Sequence, residues 1–324
     1  MMEKQIKNLK NAKIVITGAT GLIGSNLIYY LSTINKQYDL KLTIYALCRN
    51  FDKFLSFNFE QNIKFVKYAL GQKIELNEDI DYVIHTASPT SSKYFITNPV
   101  ETINDTYFGL KQLLDYSIGK DLKAFIYLSS LEVYGICNED KYLKEDEYYP
   151  IDIFNVRNSY SEGKRMLELL CNSYNSEYGV PTRILRLGQC FGGKINQSDE
   201  RVFAYFLFCY LNNKNIVLST QGLTKRSYLS LRDCINGIIV CMLNGENGES
   251  YNLASDNSYI SINELANLFV ANSNLDVEYN IKNDNKYLQT IRFALDTAKI
   301  KKIGFKSVSN VEDMVRELIY ENSK

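Results

Sequence analysis

The order of apolar segments in this chain of 324 residues predicts an α/β fold, in which helices cover both faces of a doubly wound parallel sheet. In the first half, short apolar runs of strand length alternate with amphipathic segments of helical length, which is the pattern of successive βαβ units. A glycine-rich turn joins the first apolar run to the first helical segment. After residue 188 the alternation becomes less regular and predicts a smaller, mixed α/β region at the C-terminal end.

Six strands can be placed in the first half, because each apolar run is bounded by polar or turn residues. They are 13–17, 42–47, 62–66, 82–86, 124–129 and 182–187, and the helices between them are 25–33, 99–116 and 160–178. A polar, acidic segment from 136 to 155 predicts a surface loop. The later elements are helices at 202–211, 260–270 and 311–320, a short strand at 216–219, and a strand followed by a helix across 226–243.

The composition excludes several classes of function. Lys and Arg together number 37, as do Asp and Glu, so the formal charge is zero and favours neither nucleic acid nor an anionic membrane as a partner. No apolar run approaches the roughly 20 residues that span a bilayer. A single histidine, His85, predicts no metal site, and seven cysteines without paired spacing predict reduced thiols in a cytoplasmic protein.

The turn after the first strand reads Thr-Gly-Ala-Thr-Gly-Leu-Ile-Gly over residues 17–24 and has the spacing of a phosphate-binding loop. Glycine at 18 permits the tight turn, glycine at 21 lets backbone amides approach a pyrophosphate, and glycine at 24 lets the helix pack on the strand. Free N–H groups at the helix start attract the phosphates. A Rossmann-type domain is therefore predicted, with the dinucleotide contacted by Gly18, Thr20, Gly21, Leu22, Ile23 and Gly24.

The end of the second strand, where such a domain selects the ribose, reads Ala46-Leu47-Cys48-Arg49-Asn50 and has no carboxylate. A carboxylate would accept hydrogen bonds from the ribose 2′-hydroxyl of NAD, whereas Arg49 could pair with the 2′-phosphate of NADP. Arg49 could equally stack on adenine or lie in solvent. The expected cofactor is therefore NAD, with NADP as the alternative that Arg49 allows.

Tyr160 and Lys164 are four residues apart, on one face of a predicted helix. A phenol titrates near pH 10, so a nearby ammonium and a cationic nicotinamide would favour the phenolate that a base requires. Four other pairs share this spacing, at 107/111, 116/120, 210/214 and 320/324. Tyr160 differs because it follows the fifth strand, whose end carries Ser130 and Glu132. A strand-end hydroxyl and a helix tyrosine can meet at the carboxyl edge of a parallel sheet.

Together these motifs resemble the extended short-chain dehydrogenases/reductases of the NAD-dependent epimerase/dehydratase family, which modify nucleotide sugars. The matching segments are 18–24, 85–88, 98–100, 129–135, 160–164, 186–192 and 226–228. Within the family the nearest likeness is to the UDP-glucuronate decarboxylases, through residues 87–89 and 157–165.

The resemblance implies that Tyr160 removes the proton of the sugar C4 hydroxyl while a hydride passes to the nicotinamide. Ser130 would steady that hydroxyl, and Lys164 would lower the tyrosine pKa. The transient 4-keto sugar would then be altered before the hydride returns. Cofactor contacts are also expected from Thr86, Ala87 and Ser88, besides Arg49, Tyr160 and Lys164.

Residues 130–132 bear on the type of reaction. Relatives that catalyse 4,6-dehydration carry hydroxyl-Asp-Glu there, and the aspartate acts as general acid; this chain has Leu131, which cannot transfer a proton. Glu132 is either a base at C5, a group that positions water, or a residue that only stabilises the loop. We expect epimerisation, with UDP-glucuronate decarboxylase chemistry and a net NADP-dependent sugar-nucleotide reductase as alternatives. A catalytically silent NAD(P) sensor or scaffold is the alternative from another class.

On the substrate side, Arg226 resembles the family arginine that clamps the nucleotide diphosphate. The expected substrate contacts are Ser88, Ser130, Gln189, Arg201, Arg226 and Arg292. We expect an NAD(P)-binding domain over 1–187, to which a strand and helix near 226–243 return, and a mainly substrate-binding region over 188–324. The resemblance also implies a homodimer that pairs the helices carrying Thr106 and Tyr160.

Overall fold

The computed structural model describes residues 6–69, 72–197, 199–271, 273–281 and 290–323. Its strands are β1 (Lys13–Thr17), β2 (Thr43–Cys48), β3 (Ile63–Lys67), β4 (Tyr82–His85), β5 (Ala124–Ser130), β6 (Asn138–Leu143), β7 (Thr182–Leu187), β8 (Gln189–Phe191), β9 (Ile216–Leu218), β10 (Lys225–Ser230), β11 (Ser250–Leu253), β12 (Tyr259–Ser261), β13 (Val277–Tyr279) and β14 (Arg292–Leu295). Its helices are α1 (Leu22–Tyr38), α2 (Phe51–Leu55), α3 (Ser92–Thr97), α4 (Pro99–Ser117), α5 (Ser159–Tyr178), α6 (Val202–Leu211), α7 (Leu231–Asn244), α8 (Ile262–Val270), α9 (Ala298–Lys302) and α10 (Val311–Asn322).

Seven parallel strands form the central sheet, in the order β11-β7-β5-β4-β1-β2-β3. This confirms the predicted fold class, and all six strands predicted in the first half take part. The strand order reverses between β1 and β4, where the carboxyl ends of the strands open a crevice. The seventh strand, β11, was not predicted, because its four residues alternate too briefly to give a periodic signal.

Helices cover both faces of this sheet. Along β1, the side chains of Ile14 and Ile16 join the apolar cluster beneath α1 and α7, whereas Val15 points to the cluster beneath α4 and α5. A further apolar cluster holds α6, α8 and α10 together in the C-terminal region. Within the described ranges, no helix has the length and apolar character needed to cross a bilayer.

The second sheet differs from the sequence-based expectation in two places. It has the order β12-β10-β14-β6, with β8 paired to β10. Strand β6 lies inside the segment 136–155, so the loop prediction is wrong there; an edge strand rich in exposed charged residues has the composition of a loop. In the segment 226–243, only helix α7 packs on the central sheet, because strand β10 pairs with β12, β14 and β8 instead.

Candidate active site

The turn between β1 and α1 is built for close approach of backbone to a ligand. Gly18 has a φ of +62°, and a Cβ added there would lie 2.9 Å from the backbone nitrogen of Ala87 and 2.9 Å from Oγ1 of Thr86. The amide of Gly21 closes the turn by donating to the carbonyl oxygen of Gly18 at 2.8 Å. A Cβ on Gly24 would overlap that same carbonyl. Side chains are therefore excluded at this bend, and the first turn of α1 keeps its free amides.

A cavity of 670 Å³ lies at the carboxyl ends of β1, β2 and β4, and it has room for a dinucleotide. Of the residues predicted to bind the cofactor, it is lined by Gly18, Thr20, Gly21, Arg49, Thr86, Ala87 and Ser88. Leu22, Ile23 and Gly24 belong to the first turn of α1 and are not among its described lining residues. Lys53, which the sequence analysis did not single out, lines the same end as Arg49. The glycine turn and this space fit a bound dinucleotide.

Ser130, Tyr160 and Lys164 come together where β5 meets α5. The side chain of Ser130 lies close enough to the Tyr160 hydroxyl to lower its pKa. The ammonium of Lys164 donates to the carbonyl oxygen of Leu128 at 2.8 Å and lies 5.8 Å from the centre of the Tyr160 ring. The fold therefore brings the serine, tyrosine and lysine to one place, with the lysine beneath the phenol ring.

Burial dominates the titration of this group. It raises the pKa of Tyr160 above the ordinary 10.0; the charge of Glu132 acts in the same direction, and Ser130 and Arg157 oppose it. Burial also lowers the pKa of Lys164 to about 8. The chain's own groups thus shift the pKa of the tyrosine upward, opposite to the direction that the resemblance implied for Lys164.

Glu132 is held by a buried arginine. Arg157 donates from both terminal nitrogens to the two carboxylate oxygens, Nη2 to Oε1 at 2.9 Å, and the Ser161 hydroxyl donates to Oε2 at 2.8 Å. Burial alone would raise the pKa of Glu132, but the hydrogen bond and charge of Arg157 outweigh it and keep the pKa below 4.5, with Arg226 contributing. Glu132 is therefore an ionised carboxylate with most of its hydrogen-bonding capacity already used.

The short helix α3, absent from the sequence-based prediction, supplies an aromatic wall. Phe95 is buried, and its ring stacks on that of Tyr160 with centres 4.3 Å apart and planes 7° apart. The guanidinium of Arg157 lies 5.6 Å from the same Phe95 ring. In the sequence, only the capping residue Ser91 indicates this helix. The contact between Phe95 and Tyr160 joins positions 65 residues apart. The positions of Phe95 and Arg157 follow from tertiary packing.

A second cavity, of 470 Å³, shares Thr90 and Ser91 with the first. Of the predicted substrate contacts, Gln189, Arg201 and Arg226 line it. The guanidinium of Arg201 is already bound to the Asp199 carboxylate, with Nε to Oδ1 at 2.9 Å. Nε of Arg226 is buried without a hydrogen-bond partner among the described residues.

Arg292 lies elsewhere. On β14 it pairs with the carboxylate of Asp140, and it is not among the described residues that line either cavity. Of the predicted substrate residues, Ser88 lines the cofactor cavity and Gln189, Arg201 and Arg226 line the second one. Ser130, like Tyr160 and Lys164, is not among the described residues that line either cavity. Across the described ranges, no three His, Cys, Asp or Glu side chains are arranged to hold a metal ion.

The fold and site define a dinucleotide-binding α/β protein with a serine, a tyrosine and a lysine at the carboxyl edge of its sheet. The family model described as the NAD dependent epimerase/dehydratase family matches residues 14–254. The chain belongs to this family.

Similar proteins carry out several reactions within the family. The chain is 31% identical over 279 residues to a dTDP-D-glucose 4,6-dehydratase of Dictyostelium discoideum, covering 82% of this chain and 62% of the relative. It is 26% identical over 233 residues to UDP-glucuronic acid decarboxylase 1 of Xenopus tropicalis, covering 71% of this chain and 53% of the relative. It spans about half the length of the trifunctional UDP-glucose 4,6-dehydratase/UDP-4-keto-6-deoxy-D-glucose 3,5-epimerase/UDP-4-keto-L-rhamnose-reductases of Arabidopsis thaliana that it matches, 46% in one case.

Among solved structures, a UDP-N-acetylglucosamine 4-epimerase of Methanobrevibacter ruminantium has a TM-score of 0.80 at 23% identity, covering 96% of this chain and 98% of that one. A UDP-glucuronic acid 4-epimerase of Bacillus cereus, in complex with UDP-glucuronic acid and NAD, has a TM-score of 0.77 at 19% identity, covering 95% and 98%. At these identities the likeness establishes the fold.

Proposed function

We propose that this protein is an NAD(P)-dependent enzyme that oxidises the C4 hydroxyl of a nucleotide sugar to a transient 4-keto sugar and returns the hydride with inversion, as a 4-epimerase does. Two observations support it: Ser130, Tyr160 and Lys164 meet where β5 meets α5, and a cavity lies at the glycine turn with a second one nearby. When bound, the oxidised dinucleotide would accept the hydride and add positive charge beside the phenol. That charge would favour the phenolate, against the effect of burial.

The chain's own groups have separate tasks. Tyr160, as the phenolate, takes the proton of the sugar C4 hydroxyl while the hydrogen on C4 leaves as the hydride, and Ser130, beside Tyr160, orients the same substrate hydroxyl. Lys164 supplies a positive charge beneath the phenol ring of Tyr160. Arg226, whose Nε has no partner among the described residues, and Gln189 line the cavity that would receive the diphosphate.

The observation that carries the choice of epimerisation is the state of residues 131 and 132. Leu131 is 5% exposed and packs in an apolar cluster, so it supplies no proton. Glu132 is ionised and bound by Arg157, so it is a poor proton donor for the loss of water. Inversion at C4 requires neither residue to transfer a proton.

Decarboxylation of a sugar acid is the second candidate, because it too needs no acid for the loss of water. Arg226 lies close enough to Glu132 to lower its pKa, and it lines the second cavity. Its guanidinium could bind a sugar carboxylate there instead of a phosphate. The UDP-glucuronic acid decarboxylases among the relatives support the same candidate.

Mass spectrometry tests these proposals. Purified protein with NAD⁺ or NADP⁺ is incubated with UDP-, dTDP-, GDP- and CDP-linked sugars and sugar acids. A product of unchanged mass and new retention time supports epimerisation, loss of CO₂ supports decarboxylation, and loss of water contradicts both. In a parallel incubation with NADH or NADPH and a 4-keto sugar nucleotide, net oxidation of the dinucleotide would instead indicate a reductase.

A matched pair of variants tests the role of the tyrosine. Tyr160→Phe should lower kcat by 10²-fold or more, on the order of the usual contribution of a general base. Tyr210→Phe changes a tyrosine with the same spacing to a lysine, outside the site, and should leave kcat unchanged. Equal rates for Tyr160→Phe and the wild type would favour the sensor or scaffold alternative.

The proposal includes a homodimer formed through α4 and α5. These helices pack together and expose large apolar side chains on their outer surfaces, namely Val100, Ile103, Phe108, Met166 and Leu169. Light scattering should give a dimer mass for the wild type and a monomer mass for Leu169→Glu. Leu223→Glu, which changes an exposed leucine on a loop, should stay dimeric. The seven free thiols support a cytoplasmic location.

A further inference from the structure

Two cations lie together at the adenosine end of the 670 Å³ cavity. Arg49 follows β2 directly, Lys53 lies on α2, and both line the cavity that the glycine turn begins. Neither forms an ion pair or a side-chain hydrogen bond within the described ranges. Both side chains are exposed, so they are free to bind a ligand in that space.

Electrostatic effects indicate where these two charges point. Burial and nearby carboxylates raise the pKa of Tyr94, a residue of the cavity wall that α3 supplies, and the charge of Arg49 opposes them. Burial raises the pKa of Cys48, at the end of β2, to about 11, and the charge of Lys53 opposes it. Both cations therefore line the space just beyond the strand, where the ribose of a dinucleotide is selected.

The groups that would select a ribose 2′-hydroxyl are absent or occupied. Residues 46–50 contain no carboxylate. The Asn50 side chain accepts the backbone N–H of Lys53 at 2.8 Å and caps α2, so its carbonyl oxygen is already in use. Among the described lining residues, the carboxylate is that of Asp105, which lies close enough to the Tyr94 hydroxyl to raise its pKa.

We infer that this cavity selects NADP over NAD, with Arg49 and Lys53 binding the 2′-phosphate of the adenosine ribose. The inference rests on the proposed function, because it assigns a choice of cofactor to the same dinucleotide site. A dianionic phosphate between a guanidinium and an ammonium satisfies both cations, whereas a 2′-hydroxyl would leave them without a counter-charge.

Binding of nucleotide fragments tests the inference without any turnover. Isothermal titration with 2′,5′-ADP and with 5′-ADP should give a preference for the former of about tenfold or more, and Arg49→Ala should remove about tenfold of affinity for 2′,5′-ADP only. Lys53→Ala should act in the same direction. Lys93→Ala is the matched control, because Lys93 lines the same cavity but pairs with Glu200 at 3.6 Å. It should not change the preference.

Two further experiments test the choice of NADP over NAD. Arg49→Asp places a carboxylate at the strand end and should reverse the preference in favour of NAD⁺ over NADP⁺. Affinity for NADP⁺ should also fall more steeply with salt than affinity for NAD⁺, because the added contact is ionic. Equal binding of both fragments by the wild type, or binding of NAD⁺ alone, would overturn the inference and leave the proposed function intact. Failure to bind either dinucleotide would overturn the proposed function itself.

Discussion

Replacing Arg157 by methionine should destabilise the protein through the carboxylate that it leaves behind. Glu132 would keep the hydrogen bond from Ser161 and lose both hydrogen bonds from the guanidinium, within a site where Arg157 is 7% exposed. Removing one partner of a buried pair typically costs about 3 kcal/mol or more. A chain of 324 residues has an unfolding entropy of about 0.7 kcal/mol per degree near its melting temperature, so the loss corresponds to about 4 °C.

A double-mutant cycle identifies the cause. Arg157→Met and Glu132→Gln should each lower the melting temperature in a calorimetric scan, whereas the double variant should lose less than the two losses combined, with a coupling of about 2 kcal/mol. Arg316→Met is the control, because Arg316 pairs with Asp313 on an exposed helix surface and should change the melting temperature by less than about 1 °C. Additive losses in the cycle would refute the pairing.

The pair also predicts a pH dependence of a definite sign. The folded protein holds the pKa of Glu132 below its ordinary 4.5, so the pair stabilises the fold above that pH. Its contribution is lost as the pH falls through the lowered pKa. The difference in melting temperature between the wild type and Arg157→Met should therefore be largest near neutral pH and shrink below pH 4.5. A constant difference would show that the variant acts through packing alone.

Three other predictions concern the site. Gly18→Ala should destabilise the fold by about 2 kcal/mol and weaken dinucleotide binding in fluorescence titrations, because φ is +62° and the new methyl group would meet Ala87 at 2.9 Å; unchanged binding would contradict this. Phe95→Ala should cost about 3 kcal/mol or more and lower kcat, with Phe95→Leu recovering much of the stability but not the stacking on Tyr160. Burial lowers the folded pKa of Lys164 to about 8, so between pH 8 and 10 the unfolded chain binds more protons than the folded chain. In thermal scans, the melting temperature of the wild type should therefore rise relative to that of Lys164→Met over that range.

Local sequence patterns were enough to predict six of the seven strands of the central sheet. The glycine turn, the strand–helix alternation and the placement of Tyr160 depend on neighbours within one or two elements, so periodicity and spacing report them. The charged edge strand β6 was not predicted, because exposed residues on both faces of a short strand remove the alternation of apolar and polar residues on which strand prediction depends. Strand β11 was not predicted because it is only four residues long.

Local sequence patterns could not predict which side chains contact one another within the site. Arg157 stood out as part of a segment resembling one branch of the family, but its pairing with Glu132 joins positions 25 residues apart that meet only when α5 packs beside the end of β5. Phe95 gave no signal for its stacking on Tyr160. Arg292 pairs with Asp140 on the second sheet, and its contact with the substrate stays a prediction.

The same contacts connect the residue that bears on reaction type to the residue that moves the proton. The charge of Glu132 raises the pKa of Tyr160, and the smaller effect of the charge of Arg157 opposes it. A substitution at 132 that removed the carboxylate alone would leave the arginine uncompensated and shift Tyr160 toward the phenolate. Arg157 therefore reduces, without cancelling, the effect that an ionised carboxylate at 132 has on the proton-transfer group.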